Sequence, residues 1–146
     1  MQKNKKTVFV EGAITPDFIA TSITKHQTKT SIGAHDIFLG QVRADELEDK
    51  TVKAIEYSAY NEMAETKFHE IREATFDKFD LTCMHIYHSL GTVKVGEICL
   101  FVFVSAPHRK VVFEAIEFLV ENIKKNVPVF GKEVFEDNTH VWKANN

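Results

Sequence analysis

The stretch Glu97-Ile-Cys-Leu-Phe-Val-Phe-Val104 is a continuous apolar run, and Ser105-Ala-Pro-His-Arg-Lys110 follows it directly. A short run of branched and aromatic residues that ends at a turn predicts a buried strand. The amphipathic pattern that continues to Lys125 predicts a helix. His108 and Arg109 therefore stand in the first turn of this helix, where free N–H groups and the helix dipole favour negative charge. This strand, turn and helix predict binding of a substrate that carries a phosphate or a similarly charged group.

Working outward from this unit, the pattern predicts further strands and helices. Strands are predicted over residues 7–11, 33–43, 51–60, 81–89, 129–136 and 140–142, with a turn between Gly91 and Gly96. Thr15 and Pro16 are a favourable helix start for residues 15–26, and Asn61 is the predicted cap of a helix that ends near residue 78. The charged residues 45–50 are predicted to form a solvated loop. We therefore expect an α+β fold, a mixed and mostly antiparallel sheet with helices packed on one face.

Composition limits the class of protein. The chain has 146 residues, of which 44% are hydrophobic, and no linker-like stretch divides it, so we expect one domain over residues 1–146. The net charge of −3 argues against a role on nucleic acid or at a membrane surface. No signal-peptide pattern and no membrane-spanning run are present, and Cys83 and Cys99 lie in apolar runs typical of small buried residues. These features favour a cytoplasmic location.

The amphipathic helix also gives positions for its charged residues. At about 100° per residue, Val112, Leu119 and Ile123 fall close to Ile116 and form an apolar stripe. Lys124 falls about 80° from Ile116, at the border of this stripe, where an amine can enter a partly dry pocket and its pKa can fall.

Arg109 is predicted on the apolar side of the same helix, where a charge needs a partner. It lies fifteen residues before Lys124, which is about 22 Å along a continuous helix. One small substrate cannot contact both residues of one chain. If both serve one site, a second copy of the chain supplies His108 and Arg109, and we therefore expect a homodimer with two composite sites.

Several short motifs, in this order and spacing, resemble the large, catalytic subunit of molybdopterin synthase. They extend from about residue 37 to residue 142 and comprise Phe38-Leu-Gly-Gln-Val-Arg43, Glu56-Tyr-Ser-Ala-Tyr-Asn-Glu-Met-Ala64, His88-Ser-Leu-Gly91 with Gly96-Glu97, Ser105-Ala-Pro-His-Arg109, Ile123-Lys124 and Pro128-Val-Phe-Gly-Lys-Glu133.

The resemblance implies a sulfurtransferase of molybdenum cofactor biosynthesis with an α/β-hammerhead-like fold. Such an enzyme inserts two sulfurs into cyclic pyranopterin monophosphate to form the dithiolene of molybdopterin. The sulfur comes from the C-terminal Gly-Gly thiocarboxylate of a small ubiquitin-like subunit, and the assembly is a heterotetramer built on a dimer of large subunits. No cofactor and no metal are implied.

The resemblance also implies the site residues. Matched position by position, Lys124 and Lys132 are the catalytic candidates. The substrate-binding candidates are Gln41, Val42, Arg43, His108, Arg109, Lys124, Gly131, Lys132 and Glu133. Arg43 and Arg109 can hold a phosphate in a bidentate fork, and His108 can bind the same anion or move a proton.

The chain departs from the family pattern at two positions. Many members have Trp-Lys where this chain has Phe130-Gly131, so the second functional lysine is missing there. Lys132 is the candidate replacement, although a shift of one residue in a strand points a side chain to the opposite face. Ser89 stands where an arginine is common.

Two other readings remain open at this point. One is a non-catalytic protein that keeps the fold and binds a ubiquitin-like sulfur carrier, supported by Gly131. The other is a phosphate-ester enzyme without a protein partner. A zinc site is not expected, since His85 and His88 of one strand would point to opposite faces. Tyr57 and Tyr60 are expected to pack in the sheet rather than bind a pterin.

Overall fold

The apolar run identified above forms a strand in which every residue after Ile98 is buried. The structure, a computed structural model, describes residues 8–143. Its eight strands are β1 Phe9–Glu11, β2 Ala34–Gln41, β3 Glu46–Leu47, β4 Lys50–Ala59, β5 Cys83–Lys94, β6 Ile98–Ala106, β7 Val129–Phe135 and β8 His140–Trp142. The three helices are α1 Pro16–His26, α2 Asn61–Lys78 and α3 Arg109–Asn126.

The strands form one mixed sheet. Its order is β2-β6-β5-β4-β7-β8, with β1 added to β5 and β3 to β4. All neighbouring strands pair antiparallel except β1 and β5, which are parallel. The expected α+β fold with a mostly antiparallel sheet is confirmed.

Alternate residues of β6 point into two separate cores, because successive side chains of a strand face opposite sides. Leu100, Val102 and Val104 pack with residues of α2 and α3. Phe101 and Phe103 pack with residues of α1 on the other face. The expectation that all helices lie on one face was therefore wrong. A strand that is apolar at every position is buried from both sides.

Of the two helix caps predicted from the sequence, the structure confirms one. The Thr15 hydroxyl accepts a hydrogen bond from the Phe18 N–H at 3.2 Å and caps α1, as predicted. In α2 the cap residue is Tyr60, which makes no side-chain cap hydrogen bond, because Asn61 is already in the first helical turn. The predicted cap at Asn61 was wrong by one residue.

Two predicted connections also differ from the structure. The charged segment 45–50 contains β3, which pairs with β4 through a tight turn at Glu48 and Asp49, both with positive φ (50° and 65°). Such left-handed turns suit two-residue hairpins. The turn predicted between Gly91 and Gly96 is shorter, since β5 continues through Gly91 to Lys94.

The predicted single domain of residues 1–146 includes residues 1–7 and 144–146, which lie outside the described residues, as does Thr7 of the first predicted strand. Both cysteines are buried, as expected, and both are free thiols. Among the described helices, none has the length and apolar character needed to cross a membrane.

Candidate active site

A pocket lies where the end of α3 meets strands β4, β5 and β7. Its lining is mixed: aliphatic side chains alternate with two lysines, a histidine and a tyrosine. We call it the lysine pocket; its lining residues are Tyr57, His88, Leu100, Ile123, Lys124, Val127, Val129, Gly131 and Lys143. A concave site that combines apolar walls with converging polar groups is typical of ligand binding.

Lys124 is placed in the lysine pocket by the last turn of α3. The preceding residue, Ile123, is buried in the core, and this anchors the turn against the sheet. Although part of the Lys124 side chain is exposed, desolvation lowers the pKa of its amine below the ordinary 10.5. The nearby ammonium of Lys143 lowers this pKa further, while Cys99 acts in the opposite direction. A lowered pKa increases the share of neutral amine, which is the form that accepts a proton.

His88 is buried in β5 beside this amine. Desolvation is the largest cause that lowers its pKa, to about 4, and the charge of Lys124 contributes; a hydrogen bond to the Ser89 carbonyl opposes the shift. The ring donates its Nδ1–H to that carbonyl at 2.8 Å. His88 is therefore neutral at pH 7, and its Nε2 is left as an acceptor.

Tyr57 of β4 packs its ring edge-on against His88, with ring centroids 5.2 Å apart. Desolvation is the largest cause that raises the pKa of the Tyr57 phenol, with further contributions from Cys99 and Glu133. The phenol is thus neutral, and the charge of the lysine pocket comes from its two lysines. No role in the site was predicted from the sequence for Tyr57, His88 or Lys143.

Gly131 of β7 lines the pocket without a side chain. A Cβ added there would lie 3.1 Å from Ile55 Cγ2, 3.4 Å from Tyr57 Cε1 and 3.7 Å from Lys143 Cβ. The backbone N–H of Lys143 donates to the Gly131 carbonyl at 2.7 Å. Because Gly131 has no side chain, Lys143, the residue after β8, lies close to the pocket.

Lys132 points to the other face of β7. Its Nζ lies 3.5 Å from a carboxylate oxygen of Glu56, its partner across the sheet. The structure does not bring Lys132 to the lysine pocket. Lys132 therefore does not supply, on that face, the lysine that is missing at Gly131. Glu133 returns to the pocket face and is buried, with 7% of its surface exposed.

The candidates at the end of β2 lie outside the lysine pocket. Gln41 and Arg43 are exposed, and the Arg43 guanidinium forms an ion pair with Asp45 at 3.3 Å. Val42 is 1% exposed, and its backbone N–H and C=O pair with residues 97 and 96. A direct side-chain contact of Val42 with substrate is therefore excluded in this conformation.

His108 and Arg109 lie at the opposite end of α3 from Lys124. Both are exposed, and α3 continues without a break for 18 residues. The expectation that Arg109 sits on the apolar side of the helix was wrong: Arg109 is exposed, and contact of α3 with the core begins at Val111 and Val112. Within one chain, the structure does not bring the anion-binding pair to the lysine pocket.

A second polar cluster lies under α1, on the other face of the sheet. Ligand-type atoms of His26, Cys83 and His85 lie within 4.8 Å of one another, a grouping that the sequence analysis missed. The two Nε2 atoms are 2.8 Å apart, and Lys29 Nζ lies 2.8 Å from Cys83 Sγ. Two imidazole nitrogens bound to one tetrahedral zinc ion would stand more than about 3 Å apart. As arranged here, the cluster is a hydrogen-bonded network with an ammonium on the thiol.

Comparisons with known proteins agree with this architecture. Residues 14–126 match the model of the MoaE protein family. The molybdopterin synthase catalytic subunit of Pyrococcus abyssi is 41% identical over 110 residues, which is 75% of this chain and 74% of that protein. Catalytic subunit 1 of Aedes aegypti is 40% identical over 118 residues, 79% and 76% of the two chains. Some relatives are longer: the match spans 32% of the Drosophila grimshawi subunit.

Solved structures share the fold over nearly the whole chain. Molybdopterin synthase from Staphylococcus aureus superposes with a TM-score of 0.81 at 29% identity and covers 97% of this chain and 99% of that one. The complex of subunits 1 and 2 of the molybdopterin-converting factor from Helicobacter pylori gives 0.78 at 20% identity, with 94% and 90% coverage. From the matched family model, the relatives and the shared fold, the chain belongs to the MoaE protein family.

Proposed function

We propose that this protein is the catalytic subunit of a molybdopterin synthase. It transfers sulfur from the C-terminal thiocarboxylate of a small ubiquitin-like subunit to cyclic pyranopterin monophosphate and so forms the molybdopterin dithiolene. The observation that carries the proposal is the lysine pocket, where the Lys124 amine, with a pKa lowered by desolvation, lies with His88, Tyr57 and Lys143. The names of the relatives from Pyrococcus abyssi and Aedes aegypti support the same activity.

The partner is a small sulfur-carrier protein. The similar Helicobacter pylori structure is a complex of two subunits, which supports a corresponding complex here. The two cysteines form no disulfide with each other, and both thiols are buried. This fits a reaction in which the partner, rather than this chain, brings the sulfur. Two free thiols also favour a reducing, cytoplasmic location.

Lys124 acts on the incoming sulfur. The thiocarboxylate sulfur forms a bond to a substrate carbon as a C–O bond at that carbon breaks and the oxygen leaves with a proton. Water then adds to the carrier carbonyl of the resulting thioester, the bond between carbonyl carbon and sulfur breaks, and the sulfur stays on the substrate while the carrier leaves as a carboxylate. Two roles of Lys124 fit this sequence: its amine transfers the protons, or its ammonium stabilises the oxyanion that forms at the carbonyl. Neutral His88 and Tyr57 provide hydrogen-bonding atoms beside the amine without adding charge.

The phosphate of the substrate is bound by arginines. Arg109 and Arg43 offer the planar fork that matches a phosphate, and His108 adds a further donor. Because α3 separates Arg109 from Lys124 by most of its length, the complete site requires the Arg109 end of α3 from a second copy of the chain. The assembly is thus a homodimer with one small subunit bound per copy, and Gln41 and Glu133 complete the substrate-binding set.

The proposal is tested by converting the cyclic phosphate precursor with a thiocarboxylated small subunit in vitro. We expect product with the wild-type protein and a loss of about 10²- to 10³-fold in rate for Lys124→Ala. Lys125→Ala is the matched control, because Lys125 is the next residue and pairs with Glu121 on the exposed side of α3. An inactive wild-type protein that still binds the small subunit would instead support the non-catalytic carrier-binding reading.

A further inference from the structure

Lys143 takes the position on the pocket face that Gly131 leaves empty. Strands β7 and β8 pair antiparallel with Lys132 opposite Trp142 and Glu133 opposite Val141. Continued by one residue, this register sets Lys143 opposite Gly131, and the hydrogen bond from the Lys143 N–H to the Gly131 carbonyl, at 2.7 Å, agrees with it. Residues directly opposite each other in a sheet project to the same face. A side chain at residue 143 therefore extends from the same face as one at residue 131 would.

That face is the lysine pocket. Gly131 lies opposite Tyr57, whose ring lines the pocket, and Lys143 is itself part of the lining. The neighbouring lysine in β7, Lys132, faces the other side and is paired with Glu56. Of these two lysines, Lys143 is the one that the geometry places with Lys124.

The electrostatics of the pocket agree with this placement. The charge of Lys143 contributes to the lowered pKa of Lys124, so the two amines interact. Two amines that line one partly desolvated pocket repel each other and attract an anion, because a lowered dielectric strengthens both effects. No carboxylate is among the described residues that line the pocket; Glu133, buried on the same face, acts on the Tyr57 phenol.

We propose that Lys143 is a substrate-binding residue of the sulfur-transfer site, and that its ammonium, reaching the pocket from the residue after β8, replaces the side chain that Gly131 lacks. Its ligand is an anionic oxygen or sulfur next to Lys124. This anion belongs either to the carrier thiocarboxylate or to the pterin phosphate. The catalytic effect of Lys143 rests on the proposed function. The position of its ammonium does not.

The kinetic test compares Lys143→Ala, Lys143→Arg and Lys132→Ala in the conversion assay with the thiocarboxylated small subunit. We expect Lys143→Ala to lower kcat/KM about 10- to 100-fold and Lys143→Arg to retain most activity, because the charge remains. A raised KM for the small subunit alone identifies the thiocarboxylate as the ligand, and a raised KM for the precursor alone identifies the phosphate. Loss of activity in Lys132→Ala with full activity in Lys143→Ala would overturn the proposal.

A rescue experiment separates this role from a structural one. Gly131→Lys is introduced into Lys143→Ala. The new Cβ would lie 3.1 Å from a methyl group of Ile55, which requires a small shift, and at ordinary contact distances from Tyr57 and from the Cβ of residue 143. We expect the double variant to recover activity, since the ammonium returns to the same face. A folded double variant, judged by thermal unfolding, that stays as inactive as Lys143→Ala contradicts the inference.

The position of the ammonium can be measured without any turnover. In protein with ¹³C-labelled lysines, NMR titration gives the pKa of Lys124 in the wild type and in the Lys143 variants. We expect this pKa to rise in Lys143→Ala, because a neighbouring positive charge is removed, and to stay low in Lys143→Arg. An unchanged pKa would refute the placement of Lys143 even if the protein is an active synthase. A raised pKa in an inactive protein would instead refute the proposed function alone.

Discussion

Lys132 and Gly131 are neighbours in β7 but face opposite sides of the sheet: the Lys132 ammonium lies 3.5 Å from the Glu56 carboxylate, whereas Gly131 faces the ring of Tyr57. This alternation decides which lysine can assist Lys124. A lysine held in an ion pair on the outer face contributes to the surface of the sheet, not to the pocket.

The first prediction concerns this ion pair. We expect Lys132→Ala to lower the free energy of unfolding by at most about 1 kcal/mol, because ion pairs with solvent contact contribute little. Urea unfolding of the wild type and the variant measures the difference, and Glu56→Gln should give a loss of similar size. A loss of several kcal/mol would mean that the pair is part of the core.

The second prediction concerns the pH dependence of stability. Folded His88 has a pKa of about 4, below the ordinary 6.5. Between these two values the unfolded chain binds a proton at this residue and the folded chain does not, so acidification favours unfolding. We expect His88 to account for a loss of roughly 3 kcal/mol in unfolding free energy between pH 7 and pH 4.

The measurement compares denaturant unfolding of the wild type and His88→Gln across that pH range. The variant should lose less stability on acidification than the wild type. His69→Gln is the matched control, because it makes the same substitution at an exposed residue of α2. Equal slopes for the wild type and His88→Gln would show that His88 is not held neutral by burial.

The third prediction concerns the packing of α3, which fixes the position of Lys124. Leu119 is fully buried between α3 and the sheet. We expect Leu119→Ala to destabilise the protein by about 2–5 kcal/mol through the cavity it creates. Phe113→Ala on the same helix should have a much smaller effect, since 57% of Phe113 is exposed. Thermal and urea unfolding measure the two losses. A larger loss for Phe113→Ala than for Leu119→Ala would show that the buried face of α3 is assigned wrongly.

Local pattern was sufficient for much of the fold. The stripe of Val112, Leu119 and Ile123 is buried in α3 as the helical period predicts, and the cap at Thr15 is formed. The run that forms β6 is apolar at both alternating sets of positions. This pattern indicates that helices cover both faces of the sheet, contrary to the prediction of helices on one face. The prediction of a loop at 45–50 was wrong because β3 depends on a turn with positive φ at Glu48 and Asp49, a conformation that Asp tolerates but Glu rarely adopts.

The site was less accessible to sequence reasoning than the fold. Lys124 was identified because its angle on one helix could be calculated. Lys143 was not, because its position depends on the pairing of β7 with β8 and on the absence of a side chain at Gly131. His88 belongs to a quoted motif, yet only the meeting of β4, β5 and α3 shows that it lies beside Lys124.

The central claim is a pocket completed by two copies of the chain, and mixing inactive chains tests it most directly. In a dimer of one Arg109→Ala chain and one Lys124→Ala chain, one composite site has both residues intact and the other has neither. After subunit exchange at equal concentrations, half of the dimers are mixed, so the account predicts recovery of about a quarter of the wild-type sulfur-transfer rate. A mixture of folded, dimeric chains as inactive as either variant alone would contradict it.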